Sequence, residues 1–98
     1  MTDDAVTVAP HVYKVVLEND RIRVLEIVTQ PGGSSELHSH PDSLVYAVSD
    51  CTWLLAGPDG EEVRAELKAG QVFYQEACEH TAKDVGTGGS RAIMVELK

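Results

Sequence analysis

Short apolar runs separated by turn residues are the feature of this 98-residue sequence that most limits its fold. The runs are rich in Val, Ile, Leu and Tyr, and turn signals such as Asn19-Asp20 and Pro58-Asp59-Gly60 stand between them. They have almost no helical periodicity, and their length is typical of strands. They cover residues 12–18, 21–29, 44–49, 51–56, 62–67, 71–75 and 92–97. Short strands at regular spacing predict an all-β barrel or sandwich.

Composition and charge narrow the class of protein. A chain that is 43% hydrophobic can bury a core, and a formal net charge of -8 argues against nucleic acid and anionic membrane partners, which select basic surfaces. The sequence shows neither a signal-peptide pattern nor an apolar stretch of about 20 residues. Cys51 and Cys78 lack a pairing motif and indicate reduced thiols in a cytoplasmic protein. We expect residues 1–10 to be a flexible N-terminal tail and residues 11–98 to form one domain.

Two histidines two residues apart, His38 and His40, carry the clearest chemical signal, and His80 follows far downstream. In a strand, residues i and i+2 point to the same face, so the first two imidazoles can converge on one point. A fold that places His80 opposite would complete a site for a divalent transition metal (Fe, Ni, Mn or Zn) with open positions. The alternative is a set of histidines that are only hydrogen-bonded or exposed.

The surroundings of these histidines resemble the two sequence motifs of the cupin superfamily. Gly32 is followed by five residues and then His38-Ser39-His40-Pro41, while Gly70 precedes His80 and Asp84 takes the place of the second motif's Asn. The resemblance covers about residues 12–98. It implies a small jelly-roll barrel, also called a double-stranded β-helix, with metal held by the three histidines. It further implies a metal-dependent dioxygenase or isomerase acting on a small oxygenated molecule.

The chain departs from the family pattern at the fourth ligand. The family's Glu should fall at Ser43, Leu44 or Val45, and none of these is a carboxylate. Three other side chains are candidates for an additional ligand or for a partner that orients an imidazole, because each lies at an even spacing from a histidine: Glu36, Glu76 and Cys78. The alternative for each is a solvated carboxylate or a small buried side chain.

Other expectations concern the pocket, the function and the assembly. Tyr46 and Phe73 are candidates to line a pocket above the metal, with core packing as the alternative. A non-catalytic module that binds a metal or a small ligand is the alternative to an enzyme, and a metal-free barrel is a third reading. Exposed barrel edges in a small protein favour a homodimer.

Overall fold

A computed structural model describes residues 3–98, and Met1 and Thr2 lie outside the described residues. This part of the chain contains one short helix and nine strands, and none of its helices is long and apolar enough to cross a membrane. The elements are α1 (Ala5–Val8), β1 (Tyr13–Glu18), β2 (Ile22–Thr29), β3 (Ser34–His40), β4 (Ser43–Ala47), β5 (Cys51–Ala56), β6 (Glu62–Leu67), β7 (Val72–Gln75), β8 (Cys78–Asp84) and β9 (Ser90–Leu97).

The strands form two antiparallel sheets. One sheet has the order β1-β2-β9-β4-β7, and the other has the order β3-β8-β5-β6. Side chains on the inner faces of both sheets build one core, to which Leu25, Trp53 and Met94 contribute large buried groups. The prediction of an all-β barrel is confirmed, and in β4 and β9 buried residues alternate with more exposed ones as the two faces of a strand require.

The turn before β3 fixes the start of the histidine-bearing strand. Gly32 has a φ of 78°, a left-handed conformation that is strained for residues with a Cβ. Its N–H donates to the Asp84 carbonyl at 2.9 Å, and the Asp84 N–H donates to the Gly33 carbonyl at 2.8 Å. The buried Asp84 carboxylate also accepts from Thr29 Oγ1 at 2.6 Å. These bonds set β3 against β8.

The segment before β1 differs from the expected flexible tail. Asp4 caps α1 by accepting from the Thr7 N–H at 3.0 Å, and the Ser39 N–H donates to the Asp3 carbonyl at 3.0 Å. Ala5 and Ala9 are fully buried. These two alanines are small enough for the segment to pack closely on the barrel, and Val6 packs against the same core. The other two residues of the expected tail, Met1 and Thr2, lie outside the described residues.

Candidate metal centre

The register between β3 and β8 brings the three histidines together. His38 lies directly opposite His80, and His40 lies two residues further along the same face of β3. All three point into the barrel and are buried, with exposed fractions of 0%, 3% and 8%. Their ring centroids are 4.7 to 5.1 Å apart, and one nitrogen from each ring lies within 4.8 Å of the others. Among residues 3–98, these three histidines form the group of side chains whose ligand atoms lie close enough together to hold a metal ion.

Each imidazole has a partner at its outer nitrogen, Nδ1. The Nδ1 of His38 donates to the Glu36 carbonyl oxygen at 2.7 Å, and that of His40 contacts the Glu96 carboxylate at 3.0 Å. The Nδ1 of His80 lies 3.7 Å from the Cys78 sulfur. Metal-binding histidines are commonly held in this way through the nitrogen that does not ligate. The Nε2 atoms of His38 and His40 are therefore left to face each other.

The spacing of these inner nitrogens suits a cation. The Nε2 atoms of His38 and His40 are only 3.0 Å apart. Because the Glu36 carbonyl can only accept, the Nε2 of His38 carries a lone pair, and so short a distance is favourable when a proton or a metal ion is shared between the two nitrogens. Two nitrogens bound to one zinc ion at about 2.0–2.1 Å in tetrahedral geometry lie about 3.3–3.4 Å apart, so the His38–His40 pair is close to the spacing that a shared ion needs.

Burial also keeps two of the imidazoles, those of His80 and His38, in the neutral form that binds metal. It lowers the pKa of His80 from 6.5 to about 3, with the neighbouring His40 and His38 adding to the effect. The pKa of His38 is lowered as well, chiefly by burial. A neutral ring retains the lone pair that a metal needs, and a protonated ring does not.

A carboxylate that the sequence analysis missed lies behind His40. Glu96 on β9 is 1% exposed and pairs in register with Ser43, one of the positions where the family's Glu is absent. Its Oε2 contacts the outer nitrogen of His40, and its Oε1 accepts from Arg23 at 2.7 Å. Arg23 in turn pairs with Asp4 at 3.0 Å. The signal in the sequence is a charged residue at an inward position of an otherwise apolar alternating strand.

A second residue that the sequence analysis missed is Tyr13, the first residue of β1. Its hydroxyl lies 3.2 Å from the Nε2 of His38, and its ring packs edge-on against His38 and His40. Only 5% of its surface is exposed. Its place at the site depends on how β1 packs across the barrel, which no local motif reveals.

Two predicted extra ligands are placed away from the imidazole nitrogens. A register shift between Ser35 and His38 inserts an extra residue, so Glu36 is exposed and only its backbone carbonyl reaches His38. Glu76 is exposed in the connection between β7 and β8. The two-residue spacing of Glu36 and His38 therefore does not place their side chains on one face, because a bulge interrupts the alternation of β3.

The third candidate, Cys78, is half-buried on the same side of β8 as His80. Its sulfur accepts from the Gln75 Nε2 at 3.0 Å and lies beside the outer nitrogen of His80, not among the inner nitrogens. Burial raises the pKa of its thiol. The position fits an orienting contact better than a metal–sulfur bond.

An interior cavity of about 30 Å³ adjoins the cluster. His40, His80, Tyr13 and Phe73 line it, together with apolar side chains of the core. Phe73, one of the two residues predicted to line a pocket, lies at this cavity. The other, Tyr46, is 47% exposed and lies on the outer face of its sheet, opposite Val72 and Ile93. Alternation along β4 turns Val45 inward and Tyr46 outward.

Solved structures resemble this chain closely in fold. No protein-family model and no curated protein matches the sequence. A cupin domain from Bordetella pertussis Tohama I has a TM-score of 0.80 and 27% identity, over 89% of this chain and 92% of that one. A double-stranded β-helix protein from Klebsiella pneumoniae has a TM-score of 0.68 and 21% identity, over 88% and 75%. An RmlC-like cupin from Shewanella frigidimarina has a TM-score of 0.60 and 21% identity, over 87% and 73%.

The fold and these matches define a double-stranded β-helix barrel with histidines in its interior. The chain has the fold of solved cupin domains, and the resemblance seen in its two histidine motifs is confirmed at the level of the fold.

Proposed function

We propose that this cupin-fold protein binds a divalent transition metal (Fe, Ni, Mn or Zn) through the Nε2 atoms of His38, His40 and His80. One observation carries the proposal. All three rings are buried with a partner at Nδ1, and their remaining nitrogens converge within 4.8 Å. Three neutral imidazoles form a donor set that suits such ions and leaves positions open for a ligand.

The chain's own residues would hold and shield the ion. Glu96 fixes the ring of His40 and places a negative charge behind it, while the Glu36 carbonyl fixes the ring of His38. The apolar cavity wall, including Phe73, limits access of water. When bound, the ion supplies Lewis acidity and a template for a ligand, and redox chemistry if it is iron.

Elemental analysis of tag-free protein, purified without chelators, tests the metal site. We expect about one metal ion per chain after loading, and loss of most of it in His38→Ala and in His80→Ala. His11→Ala is the matched control, because His11 is exposed and contacts the Ser34 carbonyl instead of the cluster. Circular dichroism checks that each variant keeps its strands. Full metal content in both site variants would refute the assignment.

For the reaction, we propose a dioxygenase or isomerase that acts on a small oxygenated molecule. The open metal positions adjoin the cavity, and its volume of about 30 Å³ restricts it to small groups. The small size of the cavity also supports a second candidate function, a non-catalytic module that binds a metal or small ligand. Oxygen uptake by the Fe(II)-loaded protein, with diketones, thiols and catechols, separates them. Turnover no faster than that of free Fe(II) across the panel would favour the binding module.

We propose a homodimer formed through the outer face of the five-stranded sheet. Large apolar side chains are exposed there on adjacent strands β4 and β7, with Leu44 opposite Tyr74 and Tyr46 opposite Val72. Monomeric proteins rarely leave a contiguous apolar patch of this kind in water, and a second copy presents an identical one. Cytoplasmic localisation stays a prediction, supported by two cysteines that are both free thiols.

A further inference from the structure

The Tyr13 hydroxyl lies between the histidine cluster and the interior cavity. Its oxygen is 3.2 Å from the Nε2 of His38, and Tyr13 lines the cavity together with His40 and His80. The ring is held in place by edge-on contacts with His38 and His40, at centroid distances of 5.2 and 5.4 Å. The hydroxyl is therefore fixed beside both a proposed ligand atom and the space that a small molecule would enter.

The direction of this hydrogen bond follows from the other nitrogen of the ring. The Glu36 carbonyl can only accept, so the Nδ1 of His38 carries the proton and its Nε2 carries a lone pair. Tyr13 must then be the donor. An ion bound to Nε2 takes the lone pair that now accepts this hydrogen, and the hydroxyl is left with a hydrogen to donate elsewhere.

We propose that Tyr13 donates this hydrogen bond to an oxygen of a small ligand bound to the metal on its cavity side. The inference rests on the proposed metal centre and specifies the class of ligand that it takes. Carboxylate and enolate oxygens are strong acceptors, whereas sulfur is a weak one. A sulfur ligand would leave the Tyr13 hydroxyl to the Ser35 side chain, a neutral acceptor weaker than a carboxylate, beside apolar walls such as Phe73 and Met94. Tyr13 would thus make the centre selective for oxygen donors over sulfur donors.

Cobalt(II)-loaded protein gives a direct test, because changes at the metal alter its visible spectrum. Formate is the oxygen-donor probe, and ethanethiol is the sulfur-donor probe. In Tyr13→Phe we expect formate affinity to fall by about 10-fold or more, as for loss of a charge-assisted hydrogen bond. Ethanethiol affinity should change by less than about 3-fold, since sulfur accepts only weakly. Tyr46→Phe, which changes an exposed hydroxyl on the outer face, should alter neither affinity.

Cobalt affinity provides the second measurement. It should be equal or tighter in Tyr13→Phe, because the hydroxyl no longer competes for the lone pair of His38. Equal losses of formate and ethanethiol affinity would show that Tyr13 only packs the site and would overturn the proposal. So would a phenolate-to-metal absorption band in the Fe(III)-loaded protein that Tyr13→Phe abolishes. A wild-type protein that takes up no cobalt would instead refute the metal centre itself, and this inference with it.

Discussion

Acidification is expected to destabilise the metal-free barrel well above the pH at which carboxylates protonate. Lowering the pH from 7 to about 5 should reduce the free energy of unfolding by at least about 2 kcal/mol. The cause is the pair of buried rings of His38 and His80, which resist protonation in the folded state and are free to accept protons in the unfolded chain.

The direction follows from the shifted pKa of His80. Its folded pKa of about 3 lies below the ordinary value of 6.5, so between these pH values the unfolded chain binds a proton that the folded chain excludes. Protonation therefore draws the equilibrium toward the unfolded state. The contribution is complete above pH 6.5 and is lost progressively as the pH falls toward 3. His38 acts in the same direction, because its pKa is also lowered by burial.

The magnitude follows from the same difference. Each pH unit within the window costs about 1.4 kcal/mol per excluded proton. From 6.5 to 5 is 1.5 units, which gives about 2 kcal/mol for His80 alone. For a domain of this size, that corresponds to a fall in Tm of roughly 8–16 °C. It is a large part of the stability expected for a small domain, about 5–15 kcal/mol.

Urea unfolding of chelator-treated protein, followed by circular dichroism at a series of pH values, measures the dependence. His80→Gln removes one titrating ring, and we expect the slope of unfolding free energy against pH to fall by about 1.4 kcal/mol per unit. The slope is the readout because the substitution also changes absolute stability. His11→Gln, at an exposed position, should leave the slope unchanged. A wild-type curve that is flat between pH 6.5 and 5 would refute the reasoning.

Four further predictions concern other parts of the molecule. Glu96→Gln should weaken metal binding by about 10–100-fold, because it removes the charge behind His40. Isothermal titration calorimetry measures the affinity, with Glu18→Gln as the control variant at an exposed position. Cys78→Ser should keep full metal content, since the sulfur faces the outer nitrogen of His80; loss of metal would indicate a sulfur ligand. Leu25→Ala should cost about 2–5 kcal/mol in urea unfolding, because Leu25 is fully buried. Leu44→Asp should give a monomer in analytical ultracentrifugation, and an unchanged mass would exclude this face as the interface.

The strands and the grouping of His38 with His40 could be predicted from the sequence, because both depend on local patterns. The apolar run at 21–29 predicts a strand, and the structure forms β2 there, with Leu25 and Ile27 buried on its inner face. The two-residue spacing of His38 and His40 predicts convergence on one face, and the register with β8 supplies His80.

The parts that failed depend on departures from regular geometry or on distant strands. A bulge in β3 turns Glu36 outward, although its spacing from His38 predicts a shared face. Apolar residues occupy both faces of β4, so the sequence does not show to which face the Tyr46 side chain points. Tyr13 and Glu96 reach the site from other strands, β1 and β9, and their roles follow only from the packing of the whole barrel.

The central position of β9 has a consequence for how this protein is made. β9 lies between β2 and β4, so the five-stranded sheet stays divided until this late strand has been synthesised and has inserted. It also delivers Glu96 to His40, two residues separated by most of the sequence. Such long-range pairing gives a high contact order and slow folding, because large loops must close before the contacts form. The nascent chain therefore passes through a stage in which β2 and β4 have exposed edges and His40 still lacks Glu96, and the complete histidine cluster with its carboxylate is a late product of folding.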